Sequence, residues 1–187
     1  MSDRSKNYSE RYAAVNSLTL DAYGQKCLDY KYDNFIEGLK EISWNKSTDS
    51  GARLWTYQTC TEFGYFQSSD APDQPFGSLF PVAYFIQQCI DTFGPKFDRK
   101  FIEDSIRETN AIYGSTELQV TNVVFPNGMI DPWHALGILK KINPSSIPIL
   151  IPETAHCADM YPSSDNDPQS LKNARKLIIK MIGQFLK

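Results

Sequence analysis

Two uncharged apolar runs, residues 121–125 and 147–151, stand out from a chain of otherwise mixed polarity. Val123, Val124 and Phe125 are β-branched or aromatic, and Ile147, Ile149, Leu150 and Ile151 continue that character around Pro148. Short runs without polar alternation predict strands buried on both faces, as in a parallel sheet. Pro126, Asn127 and Gly128 are expected to stop the first. Elsewhere the pattern is helical. Leu171, Ala174, Leu177, Ile178, Met181, Ile182 and Phe185 recur at the helical period and predict a final helix that packs on a sheet, capped by Asp167-Pro168. Residues 98–112 predict a helix with Phe101, Ile102 and Ile106 inward. Pro81 opens another that reaches Thr92 and is closed by Gly94-Pro95. A short helix is expected over 134–141. Residues 7–44, where Cys27, Leu28, Phe35, Leu39 and Ile42 approximate helical spacing, predict two or three more. Residues 45–51 and 68–75 read as loops, and the aromatic and β-branched stretch 54–59 as a short extended segment.

This arrangement decides where chemistry can sit. Asp131 lies just beyond the first apolar run and His156 just beyond the second, about 25 residues further on. In open parallel α/β sheets ligands bind outside the carboxyl ends of the strands. An Asp followed by a His is also the chain order of the second and third members of an α/β-hydrolase triad. In that reading His156 offers an imidazole to a serine hydroxyl, and Asp131 accepts the other ring N–H and fixes the tautomer. Without that context Asp131 is a turn aspartate before Pro132, and His156 a surface histidine. Asp159 is too close to His156 in sequence to arrive from a second strand end and reads as a turn residue. His134 reads as helix surface. A nucleophile elbow, Gly-x-Ser-x-Gly, is not found in the sequence: Ser78 is flanked two residues away by Phe76 and Phe80, and Ser115 by Tyr113 and Glu117. Cys157, adjacent to His156, is poorly placed to give its sulfur to that same imidazole.

Three stretches carry a resemblance: Arg53-Leu54-Trp55-Thr56-Tyr57-Gln58-Thr59-Cys60-Thr61-Glu62, Asn127-Gly128-Met129-Ile130-Asp131-Pro132-Trp133, and Ala155-His156-Cys157-Ala158-Asp159-Met160. In this order they resemble the prolyl carboxypeptidase and dipeptidyl peptidase II family of serine exopeptidases, including its thymus-specific serine protease branch. The resemblance runs from about Cys27 to the carboxyl end and leaves out the family's first half, with most of the sheet and the nucleophilic serine. It implies an α/β protein with a partial α/β-hydrolase fold. Residues 1–52 would then end a helical cap, and residues 53–187 form the carboxyl-terminal part of the hydrolase domain. It also implies Asp131 and His156 as catalytic residues, Trp133, Glu62 and Tyr65 as substrate contacts, and a Cys60–Cys89 disulfide. Trp133 either walls the pocket for a proline ring or packs in the core; Glu62 either holds a substrate's amino terminus or pairs with Arg53. The implied activity is peptide hydrolysis beside proline or a small residue near a terminus, with no cofactor and no metal, and the chain alone is expected to be inactive. The favoured explanation of the missing serine is that the sequence is the carboxyl-terminal part of such a peptidase; a short non-catalytic binding paralogue is the competing one. An esterase or lipase-like hydrolase explains the Asp and His but not the Arg-x-Trp-x-Tyr-Gln-x-Cys-Thr-Glu stretch.

Composition narrows the partners. A chain of 187 residues, 41% hydrophobic and 22% charged, can bury one core. A net charge of −3 and the lack of a basic cluster argue against nucleic acid, leaving a peptide substrate and a homodimer of the parent as expected partners. The apolar runs fall far short of the roughly 20 residues a membrane helix needs. Cys27, Cys60, Cys89 and Cys157 fit neither a Cys-x-x-Cys knuckle nor a dense disulfide framework. Two buried free thiols are the alternative to the implied bridge. The triplets Asn7-Tyr8-Ser9 and Asn45-Lys46-Ser47 agree with a secreted parent, and the first residues lack the apolar core of a signal peptide. The expectation is a secreted or lysosomal parent whose leader lies outside this sequence.

Overall fold

The computed structural model describes residues 4–43, 50–73 and 77–187. They form two compact units, Met1–Ile106 and Arg107–Lys187. The boundary expected at 52/53 falls within the first unit. The second Asn-x-Ser triplet, at 45–47, lies outside the described residues.

In the first unit, α1 (Tyr8–Ala22) starts with a reciprocal cap: Glu10 N donates to Asn7 Oδ1 and Asn7 N to Glu10 Oε2, both at 2.9 Å. It buries none of its residues. Next, α2 (Tyr32–Lys40) turns Ile36 and Leu39 inward and packs on α3 (Ser50–Gln58) and α4 (Val82–Phe93). Cys27 and Leu28 lie outside the helices and are exposed, so the apolar spacing expected across 27–42 shrinks to the α2 pair.

The extended segment expected at 54–59 is helical, because Thr56, Thr59 and Cys60 fall on one face and are all buried. The β-branched propensity of the two threonines is overridden by that packing, and their hydroxyls donate back to the Ala52 and Thr56 carbonyls at 2.8 and 2.7 Å. A π-helical turn, Thr59–Phe63, continues α3 and ends at Gly64, which takes φ +65°. Gly94 closes α4 as expected, and α5 (Arg99–Tyr113) follows, with Asp98 Oδ1 accepting from Phe101 N at 2.8 Å. Cys60, Ile86, Cys89 and Ile102 form the core, with Phe66, Phe93, Phe97 and Phe101 around it. Cys60 and Cys89 are disulfide-bonded, with Cα atoms 5.8 Å apart, while Cys27 and Cys157 are free. The loop read over 68–75 is irregular through residue 73 but not wholly at the surface: Ser69 is buried and exchanges hydrogen bonds with the Phe80 backbone.

The second unit holds a parallel pair, β1 (Val123–Gly128) and β2 (Ser146–Ile151), in register from Val123↔Ser146 to Gly128↔Ile151. Contrary to the expected stop, β1 runs through Pro126, Asn127 and Gly128. A proline needs only an extended backbone without a ladder N–H, which a strand with a single described neighbour allows. The strands are also less enclosed than expected: β1 is half-buried throughout, and only Ser146 and Ile151 of β2 are buried. The final helix, α6 (Gln169–Phe185), packs on both strands as predicted, with Leu171 and Ala174 against Ile151. Leu177 and Ile182 of the expected stripe are exposed. Asp167 does not cap α6; its Oδ2 accepts from Ser164 N and Arg175 Nη1 instead. The helix expected at 134–141 is a 3₁₀ turn, Pro132–Leu136, closed by Gly137. The result is a mixed helical and small parallel-sheet structure.

Candidate active site

Because β1 and β2 are parallel and end together at Gly128 and Ile151, the loops beyond them leave from one edge of the sheet. They are stitched to each other at once: Met129 N donates to Ile151 O at 3.0 Å and Ile130 N to Thr154 O at 2.9 Å. The buried Thr154 hydroxyl donates to Ile151 O at 2.8 Å. Gly128 permits this approach, since a Cβ there would lie 2.3 Å from Ala155 O and 2.8 Å from Thr154 O. Glu153 and Cys157 bracket the second loop at φ +60° and +56°, costly conformations for residues with side chains.

Asp131 ends the first loop and opens the 3₁₀ turn. Its Oδ1 accepts from Trp133 N at 2.9 Å, which aims the other oxygen outward, and Oδ2 lies 2.6 Å from His156 Nδ1. An ionised carboxylate can only accept, so Nδ1 carries the proton, leaving Nε2 of the neutral ring with a free lone pair. The Asp131 side chain is 13% exposed and that of His156 61%, so the acid is enclosed while the imidazole opens outward. The Trp133 ring stands edge-on to the imidazole, centroids 5.5 Å apart at 76°. His134, read as helix surface, is half-buried and sets Nδ1 2.6 Å from the Asp131 carbonyl oxygen rather than its carboxylate.

Partial burial pushes the Asp131 carboxyl up, but the hydrogen bonds from His156 and Trp133 N and the fields of His156 and His134 outweigh it. The group is held below its ordinary value of 3.8. A carboxyl depressed on folding adds stability above its unfolded value, and that contribution is lost as pH falls through the lower folded value. The stability advantage of the chain over Asp131→Asn should therefore persist on acidification to 3.8 and vanish only below it. Paired urea melts across that range check this; an advantage lost above 3.8 contradicts it.

The remaining site residues predicted from sequence, Glu62 and Tyr65, belong to the first unit. Glu62 lies in the π-helical turn, and Tyr65 follows at φ +58° with its ring stacked on Phe63 at 5.5 Å. Arg53 sends Nη1 to Leu39 O at 2.5 Å and lays its guanidinium over the Phe93 ring. Asp159 falls within a short 3₁₀ turn, Ala158–Met160. The sequence reading missed Thr154, the close approach at Gly128, and Arg175, whose only signal was a cation directly after the apolar Ala174.

The family described as serine carboxypeptidase S28 matches residues 1–178. A relative from Caenorhabditis elegans is 39% identical over 165 residues, 86% of this chain and 32% of its own length. Thymus-specific serine protease of Mus musculus is 32% identical over 91% of this chain and 33% of its own. Lysosomal Pro-X carboxypeptidase of Bos taurus is 29% identical over 84% and 30%. The chain spans about a third of the length of these curated relatives. With the match covering nearly all of it, this chain belongs to the serine carboxypeptidase S28 family.

Proposed function

We propose that this chain supplies the Asp and His of a Ser-His-Asp triad in a serine-type peptidase. The observation that carries the reading is the 2.6 Å contact between Asp131 Oδ2 and His156 Nδ1, made at the shared end of two parallel strands. His156 Nε2 takes the hydroxyl proton as a serine attacks the peptide carbonyl; Asp131 holds the tautomer and stabilises the imidazolium. The same Nε2–H then protonates the leaving amine. The serine comes from a Gly-x-Ser-x-Gly that this sequence does not contain, so the chain alone is inactive. The whole protein has an α/β-hydrolase fold, with residues 1–52 closing its helical cap. Trp133, whose ring stands edge-on to the His156 imidazole, contacts a peptide substrate, cut beside proline near a terminus. That last assignment, and a secreted or lysosomal location, lean on relatives named as lysosomal Pro-X carboxypeptidase.

The test uses a serine-reactive fluorophosphonate and proline-containing peptides. The chain by itself gives neither labelling nor turnover. Protein made from the complete transcript encoding these residues gives both, and loses both on His156→Ala. Labelling of a serine within this chain, or full activity in His156→Ala, overturns the reading.

A further inference from the structure

The loop that carries His156 is fixed on its upstream side by the Thr154 contacts. On its downstream side, Ala158 to Tyr161 present backbone carbonyls at the end of a 3₁₀ turn, where acceptors lack partners of their own. One side chain collects them. Arg175, 14% exposed on α6, donates Nη2 to Ala158 O at 2.9 Å and to Tyr161 O at 2.7 Å, and Nε to Asp159 O at 3.3 Å. Its Nη1 goes to Asp167 Oδ2.

Only a guanidinium can do this, because its donors leave in a fixed planar fork that reaches several acceptors at once. The anchor is firm. The residue before it, Ala174, is buried with Leu171 against Ile151 of β2, so α6 is seated on the strand from which the His156 loop departs. Asp167 holds the opposite side of the guanidinium and is itself tied down by Ser164 N at 2.9 Å. Arg175 therefore links the segment directly after the imidazole to the helix and strand that define the sheet edge.

We propose that Arg175 is a positioning residue for His156: by gathering the carbonyls of Ala158, Asp159 and Tyr161 it holds the imidazole where Nδ1 meets Asp131. The proposal rests on the Asp131–His156 pairing put forward above. A carboxylate contact of 2.6 Å tolerates little drift of a ring that is 61% exposed and so lightly held by neighbouring side chains.

Nitrogen-15 NMR of the full chain at alkaline pH tests it, reading the tautomer of His156 and the exchange rate of its Nδ1–H. With two histidines in the chain, His156→Gln assigns the signals. The unsubstituted chain should show a single Nδ1–H tautomer. Arg175→Met, with its amide spectrum otherwise preserved, should mix in the Nε2–H form and exchange about tenfold faster, the scale of one hydrogen bond. Arg175→Lys keeps the charge beside Asp167 but has one ammonium for three carbonyls, and should recover less than half of the difference. An unchanged tautomer and exchange rate in Arg175→Met mean that the residue is merely structural and overturn the proposal. If Arg175→Met does not fold, Arg175→Lys decides: faster exchange supports the proposal, and the unsubstituted rate overturns it. Absence of the Nδ1–H tautomer in the unsubstituted chain overturns the pairing, and this inference with it. Asp131→Asn separates the two cases, since it should lose the tautomer preference while Arg175 and its carbonyls stay in place.

Discussion

Replacing Cys60 and Cys89 together by alanine should lower the stability of the unit that contains them by at least about 3.5 kcal/mol. The bridge joins positions 29 residues apart, and in the chain-entropy model a loop of that length restricts the unfolded ensemble by about that amount. Two features make the figure a lower bound. Both cysteines are essentially inaccessible, at 0% and 1% exposure, and they sit at the centre of the cluster built from Ile86 and Ile102. Removing two sulfurs there leaves a void among rigid phenylalanine rings as well as a looser unfolded chain. The link also joins two separate elements of that cluster, the π-helical turn after α3 and α4. Urea unfolding followed by circular dichroism, with and without a reductant, measures the difference. A loss under about 1 kcal/mol would assign the bridge a minor role and leave the aromatic packing as the principal support.

Legible and illegible features of the sequence divide along a physical line. Side-chain patterns announced the elements whose faces are uniform: the run at 147–151 became β2, and the stripe from Leu171 became a helix lying on the sheet. Where propensity and packing conflict, packing decided. Thr56 and Thr59 favour strands in isolation, yet a buried face shared with Cys60 made the segment helical. Pro126 signals a break by its own chemistry, but a strand with a single neighbour among the described residues absorbs it. Chain order put Asp131 and His156 beyond two strand ends. Parallel pairing in register then brings both ends to the same edge. Arg175 was illegible for a different reason: three of its partners are backbone carbonyls, which every residue has, so no residue type advertises them. The disulfide also lay beyond pattern alone, since four cysteines allow three complete pairings and only resemblance singled out one bond.

Substituting Gly128 by alanine should damage the candidate site more than any other single-methyl addition at a glycine of the second unit. The new Cβ would stand 2.3 Å from Ala155 O and 2.8 Å from Thr154 O, against an ordinary contact of 3.4 Å or more. The obstacle is backbone on both counts, so no rotamer change relieves it, and the loop must retreat by about 1 Å. Overpacking of this kind costs about 1–3 kcal/mol. The local consequence is sharper than the global one. Residues 154 and 155 lead directly into His156, and Thr154 O is also the acceptor for Ile130 N, one residue before Asp131. Pushing the carbonyls away therefore separates both ends of the Asp131–His156 contact at once, and a 2.6 Å hydrogen bond does not survive a shift of that size. Gly183 provides the control: it lies in α6 with nothing within 4 Å of its hypothetical Cβ, so Gly183→Ala should stabilise the helix by about 0.5–1 kcal/mol and leave the histidine untouched. Thermal melts give the global term, and the His156 Nδ1–H resonance gives the local one. If Gly128→Ala melts like the unsubstituted chain and keeps that resonance, the close approach of the two loops is not what holds the pair together.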